Sequence, residues 1–107
     1  MTVIKFGEIF LCQFPFTSGV VSKRRPVLAL FDLDFDAIIC RITSVQHAGP
    51  LDVPIIDWAG AGLARPSVAR LNRLVTAEKS LLGTKLGQLN SSDAVKVKET
   101  WNRHMVL

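Results

Sequence analysis

The apolar positions of the chain change period once. Through residue 89 they fall in short runs and alternations of strand length, and from Asn90 they recur at helical spacing. Residues 8–14 (Glu-Ile-Phe-Leu-Cys-Gln-Phe) are rich in strand formers and stop at Pro15. Residues 15–26 carry a glycine, two serines and bounding prolines around a polar tip, which predicts a loop. Val27 to Phe31 is a continuous apolar run, expected to be a strand covered on both faces. Asp-Leu-Asp-Phe-Asp at 32–36 predicts a turn with its acids outward, and residues 37–45 a further strand. Residues 51–56 read as a short strand that Pro54 confines to a sheet edge. In residues 57–66 the glycines allow tight backbone, and Trp58 can close one end of a core. Residues 67–76 predict a strand or a bent strand pair, 77–82 a helical turn, and 84–89 a last strand.

At the C-terminus Asn90 or Ser91 can cap a helix, with Asp93 in the first turn where the helix dipole favours an anion. Ala94, Val97, Trp101 and Met105 then form one apolar stripe, with Lys96, Lys98, Glu99 and Arg103 outside it. The expected fold is mainly β (α+β): a small, strongly bent sheet or barrel with short helical pieces and a C-terminal amphipathic helix. At 107 residues it is expected to be a single domain over 1–107.

Composition narrows the classes. With 49% hydrophobic and 21% charged residues the chain is expected to be globular. The longest apolar run is far short of the ~20 residues a membrane helix needs. Lys5 and Glu8, set among short apolar stretches, do not read as an export signal. Cys12 and Cys40 are therefore expected to be buried, reduced thiols in the cytoplasm. They lack metal-ligand spacing and matching histidines, so no metal and no cofactor are expected. The charge is uneven. Residues 1–64 hold five basic and six acidic side chains, whereas residues 65–107 hold eight and three. A basic second half suits a polyanionic partner, although solvated surface lysines and arginines would look the same.

Three segments carry a family resemblance. Gly7-Glu8-Ile9-Phe10-Leu11-Cys12-Gln13-Phe14-Pro15-Phe16-Thr17 followed by Lys23-Arg24-Arg25-Pro26-Val27-Leu28-Ala29-Leu30 resembles the opening of the MazF/PemK toxin family. Cys40-Arg41-Ile42-Thr43-Ser44 resembles that family's second motif, a threonine near the end of an apolar strand. Pro66-Ser67-Val68-Ala69-Arg70-Leu71, then Lys85-Leu86-Gly87-Gln88-Leu89 and the terminal helix, continue the match in order. The resemblance implies an SH3-like small β-barrel of the MazF/PemK and CcdB type, assembled as a homodimer. It implies a metal-independent, sequence-specific endoribonuclease that cleaves single-stranded RNA, the toxin of a type II toxin–antitoxin system. It implies a cognate antitoxin as partner, with DNA met only through the antitoxin complex and no membrane partner. The family's catalytic arginine falls on Arg25 and its catalytic threonine on Thr43. A non-catalytic toxin on the same fold, such as a gyrase inhibitor, or an inactive nucleic-acid-binding relative is the alternative.

That pair suits the chemistry. When an RNA 2′-hydroxyl attacks the adjacent phosphorus, negative charge grows on the phosphoryl oxygens. A guanidinium offers them a planar fork of donors, and a hydroxyl adds another. The 2′-proton needs an acceptor, and arginine is poorly suited to the role. Residues 15–25 contain no carboxylate. A perturbed Arg25, water, or His47, four residues after Thr43, remain as acceptors. His104 lies beside the helical stripe and reads as core edge or solvent. Lys23 and Arg24 could track phosphates beside Arg25 or form a solvated basic loop. Arg70 and Arg73 could line an RNA groove or an antitoxin interface, and Ser44 and Gln46 could read base edges. Trp58 and Trp101 could stack on bases, though Trp101 on the apolar stripe reads as packing.

Overall fold

The computed structural model describes residues 2–14 and 23–107, with the side chains of Phe14 and Lys23 excepted. Among the described residues, six strands form one antiparallel sheet: β1 (Glu8–Phe14), β2 (Lys23–Leu33), β3 (Asp36–Thr43), β4 (Asp52–Ile55), β5 (Ser67–Glu78) and β6 (Leu82–Gln88). A 3-10 turn at Lys79–Leu81 joins β5 to β6, and the helix α1 (Ser91–His104) ends the fold. The sheet order is β4-β5-β3-β2-β1-β6. β4, the strand with Pro54, is an edge as expected.

The sheet does not close by strand pairing, since β4 and β6 are its two edges. The segment after β4 spans the gap instead. Its backbone at Ala61 and Gly62 lies directly on the backbone of Leu86 and Gly87 in β6. Side chains at either glycine would collide with a carbonyl oxygen. The other end of this segment is held by Asp93, which is buried and accepts from the Ile56 and Asp57 amides at 3.2 and 3.0 Å. The residue expected to serve the helix dipole therefore also ties the connecting segment to α1. Asn90 is the cap, its side chain accepting from the Asp93 amide at 2.8 Å.

Strand bounds differ from the sequence reading where proline and turn chemistry act. Lys23 to Pro26 belong to β2 and not to the preceding loop. Pro26 lies opposite Leu11 of β1, just past the point where the β2–β3 pairing stops at Val27. The five-residue acidic turn shrinks to Asp34-Phe35. Asp34 takes a left-handed conformation (φ 70°), and its amide donates to Asp32 Oδ1 at 2.8 Å. β5 is one bent strand. Its partner in β3 jumps from Arg70 to Leu74 between Arg41 and Cys40, so Leu71 to Arg73 form a bulge.

Strand alternation sorts the side chains onto two faces. One face holds the larger core, including Ile9, Leu28, Leu30, Cys40, Ile42, Ala69 and Leu71, covered by Val97 of α1. Trp58 and Trp101 pack against this core, and Trp101 meets Phe31 edge-on at 5.6 Å between ring centres. The other face holds a smaller cluster that includes Phe10, Cys12, Val27, Ala29, Ile39 and Ala77. Both thiols are buried, and burial pushes that of Cys40 up to about 12, far from the reactive thiolate.

Candidate active site

The smaller core face ends in a group of arginines. Arg25 lies on β2 opposite the buried Cys12 of β1, so it projects from the same face as Val27. On the other side of β2, Val27 faces Arg41 of β3. The β2–β3 pairing ends at that pair, and Arg25 and Thr43 follow on the same face, each two residues beyond it. Arg41 in turn faces Arg70 of β5, and Arg70 faces Asp52 of β4. Four adjacent strands thus present Arg25, Arg41 with Thr43, Arg70 and Asp52 in a row across one face. The bulge in β5 adds Arg73. The half-buried Arg41 guanidinium is held below its ordinary pKa first by burial and then by the charges of Arg25, Arg70 and Arg73.

Each member of the row is shaped by its neighbours. Arg70 Nε donates to Asp52 Oδ1 at 2.9 Å, with both side chains largely buried. Burial alone would raise the Asp52 carboxyl. The Arg70 bond, the Gly49 amide at 2.8 Å and the charges of Arg70 and His47 instead hold it below the usual carboxylate range. Thr43 is buried at 8% exposure, and its Oγ1 accepts from the Val45 amide at 3.1 Å. That bond occupies the oxygen and leaves the hydroxyl proton to give.

The remaining sequence candidates divide. His47 is half-buried in the loop between β3 and β4 and close enough for its charge to act on Asp52, at the end of the row away from Arg25. Ser44 is exposed just beyond Thr43. Gln46 Nε2 donates to the Ser44 and Pro66 carbonyls at 3.1 and 3.3 Å, so this amide braces the loop against the start of β5. Arg24 is exposed, and alternation along β2 turns it away from the face that carries Arg25. The Lys23 side chain lies outside the described residues. His104 is exposed on α1.

Arg41 and Asp52 were not singled out from sequence. The signal for Arg41 was present: it lies two residues before Thr43 in a strand, hence on the same face. Asp52 reads in sequence as one more surface acid, and only the β4–β5 register brings it to Arg70. Among the described residues no three of His, Cys, Asp and Glu converge as a metal-ligand set. No helix among them is long and apolar enough to cross a membrane.

A bent six-stranded antiparallel sheet carrying one C-terminal helix and a face of arginines defines a small-barrel-like protein built around an anion-attracting surface. A family model described as PemK-like, MazF-like toxin of type II toxin–antitoxin system matches residues 5–105, and the chain belongs to that family. Solved structures agree on the fold. The Mycobacterium tuberculosis toxin MazF-mt6 is 24% identical over 94% of this chain and 98% of its own, with a TM-score of 0.76. An endoribonuclease in complex with its cognate antitoxin from a mycobacterial species is 16% identical over 96% and 95%, with a TM-score of 0.73. MazF in the MazE-MazF complex (Form-II) of Deinococcus radiodurans is 18% identical over 98% and 97%, with a TM-score of 0.77. No curated protein sequence matches the chain significantly.

Proposed function

We propose that this toxin is a metal-independent, sequence-specific endoribonuclease acting on single-stranded RNA through the substrate's own 2′-hydroxyl. The observation that carries the reading is the group of arginines around Arg41, with Arg25 and Thr43 on the same sheet face, each two residues beyond the last β2–β3 pair. Arg25 supplies a planar pair of donors to the phosphoryl oxygens as charge builds on them. Thr43, its oxygen already engaged by Val45, turns its proton to the same charge. Arg70 and Arg73 extend the positive surface along the strand and hold the RNA backbone. Ser44 stands at the rim, where a base edge would pass.

The attacking 2′-hydroxyl gives up its proton, the bond from phosphorus to the 5′-oxygen breaks, and the leaving oxygen is protonated. The products are a 2′,3′-cyclic phosphate, or its opened 3′-phosphate, and a 5′-hydroxyl. In this arrangement water takes the proton, because His47 lies beside Asp52 at the end of the row away from Arg25. Dependence on the 2′-hydroxyl makes RNA the substrate and DNA not.

We further infer one toxin domain over 1–107, a homodimer, a cytoplasmic site of action and neutralisation by a cognate antitoxin. Exposed Phe31, Leu33 and Phe35 at the β2–β3 hairpin give an assembly of two copies apolar surface to cover. An acidic, largely disordered antitoxin segment would find in the arginine row the counter-charges on which to order. The test is incubation of the protein with a diverse single-stranded RNA pool in EDTA, followed by sequencing of the 5′-hydroxyl ends. Ends sharing a short motif are expected. Intact RNA together with inhibited DNA supercoiling would overturn the reading in favour of a gyrase-binding toxin.

A further inference from the structure

Gln46 uses only one end of its side-chain amide inside the protein. Nε2 donates to the carbonyls of Ser44 and Pro66 at 3.1 and 3.3 Å. A side-chain amide has two N–H donors, and both are spent on these bonds. Two carbonyl oxygens can be met only by the NH2 end, so the amide is held one way round. Among the described residues nothing donates to Oε1, and the residue is exposed. The place of this amide matters. Ser44 follows Thr43 directly, and Pro66 stands two residues before Val68, the β5 partner of Thr43. The amide therefore sits where β3 and β5 part, just beyond Thr43. The loop around it is tied as well. The Val45 amide donates to Thr43 Oγ1 at 3.1 Å, the His47 amide to the Val45 carbonyl at 3.0 Å, and the Gly49 amide to Asp52 at 2.8 Å. A glutamine on a free surface loses rotamer freedom when it binds, whereas this one has lost it on folding.

We propose that Gln46 Oε1 is a fixed acceptor that selects a base adjoining the scissile phosphate, by taking a hydrogen bond from an N–H on that base's exposed edge. The inference rests on reading Arg25 and Thr43 as the cleavage site. In single-stranded RNA the base edges are open to such contacts. Adenine and cytosine carry the N–H on an exocyclic amine, uracil carries it in the ring, and guanine in both places. An acceptor held in one position therefore tells bases apart by where the N–H lies. The clamp to Ser44 and Pro66 is what makes the choice sharp. A free glutamine turns its amide over and meets a donor or an acceptor equally well. Here the turn would set Oε1 against two carbonyl oxygens, so only a donor on the base is accepted.

The test uses the full-length protein and a roughly 12-nucleotide single-stranded RNA carrying the cleavage motif mapped with the wild type. Each of the two bases adjoining the cleaved bond is replaced in turn by an analogue that lacks the N–H: purine for adenine, 2-pyrimidinone for cytosine, hypoxanthine for the guanine amine, N3-methyluracil for uracil. At one of the two positions the analogue is expected to lower wild-type kcat/KM by about 3- to 10-fold, the range for one lost hydrogen bond. Gln46→Met, similar in length but without the amide, should lose a similar factor on the natural base and pay little more for the analogue. Gln46→Glu keeps an oxygen but faces the two carbonyls with charge, so it should swing away and behave as Gln46→Met. Analogues elsewhere in the motif should cost the same in all three proteins, which a general loosening of the loop would not produce. Equal analogue penalties in wild type and Gln46→Met at both adjoining bases would overturn the inference and leave the cleavage reading standing. Intact RNA with the wild-type protein would take down both.

Discussion

Arg25→Ala is expected to lower RNA cleavage by about 10²–10³-fold, the usual cost of removing one preorganised donor from a developing anion. Binding of uncleavable RNA should fall much less, because Arg41, Arg70 and Arg73 still meet the backbone. The split follows from where the charge changes. The phosphates of bound RNA are already anions, and several arginines share them. In the proposed reaction the extra charge of the transition state grows at one phosphorus, the one assigned to the Arg25 fork and the Thr43 hydroxyl. Arg25→Lys should recover little of the rate, since an ammonium presents a point charge where a planar fork is needed. Arg24→Ala, changing the adjacent residue that alternation turns to the other face, serves as the control and should leave the rate near wild type. Single-turnover rates with saturating protein separate these effects from binding. A loss confined to affinity, with the chemical step unchanged, would move Arg25 out of the reaction and into substrate capture.

Gly62→Ala is expected to be strongly destabilising. Gly62 sits at φ +89°, where a side chain is strained, and an added Cβ would run into the carbonyl oxygen of Leu86. Left-handed strain costs about 1–3 kcal/mol, and forcing atoms into a packed contact costs a similar amount. The combined loss of roughly 3 kcal/mol or more is a large part of the 5–15 kcal/mol that typically holds a domain together. The injury should reach beyond the loop. The 61–62 backbone on β6 bridges the two open edges of the sheet, and the same segment carries buried Ala61 and Leu63 into the larger core. Gly87→Ala, whose Cβ would meet the Ala61 carbonyl from the other side, isolates the steric part. Urea unfolding measures both. A midpoint for Gly62→Ala near that of wild type would mean that the bridge does not hold the sheet edges.

Much of this architecture could be read from the chain, and the parts that could not share a physical cause. Element types followed from local pattern: the apolar run of β2, the edge strand marked by Pro54 and the capped helix at Asn90. Arg25 and Thr43 were legible as short motifs. What local pattern does not hold is register. Arg24 and Arg25 are one residue apart and look equivalent in a basic loop, but as strand residues they point to opposite faces. Arg41 sits among apolar neighbours and reads as an isolated charge until β3 is laid between β2 and β5. The charge imbalance between the two halves of the chain proved a coarse guide for the same reason. Lys79 and Lys85 of the basic half pair with Asp32 and Glu8, at 2.8 and 2.7 Å. Lys98 lies over the Phe6 ring by the helix face. Arg70 and Arg73 alone of that half join Arg25 and Arg41. Closure of the sheet edges by a backbone contact between Ala61-Gly62 and Leu86-Gly87 has no hydrophobic signature, only glycines that fit many loops.

The central claim is that the RNA supplies its own nucleophile while Arg25 and Thr43 stabilise the charge it creates. The most direct measurement uses an RNA containing the mapped motif, unmodified or with a single 2′-deoxy nucleotide at the cleaved position, incubated with the protein in EDTA. The account predicts cleavage of the unmodified strand to a 2′,3′-cyclic phosphate and a 5′-hydroxyl, and no cleavage at the 2′-deoxy position under the same conditions. Cleavage of the 2′-deoxy strand at that bond would contradict it.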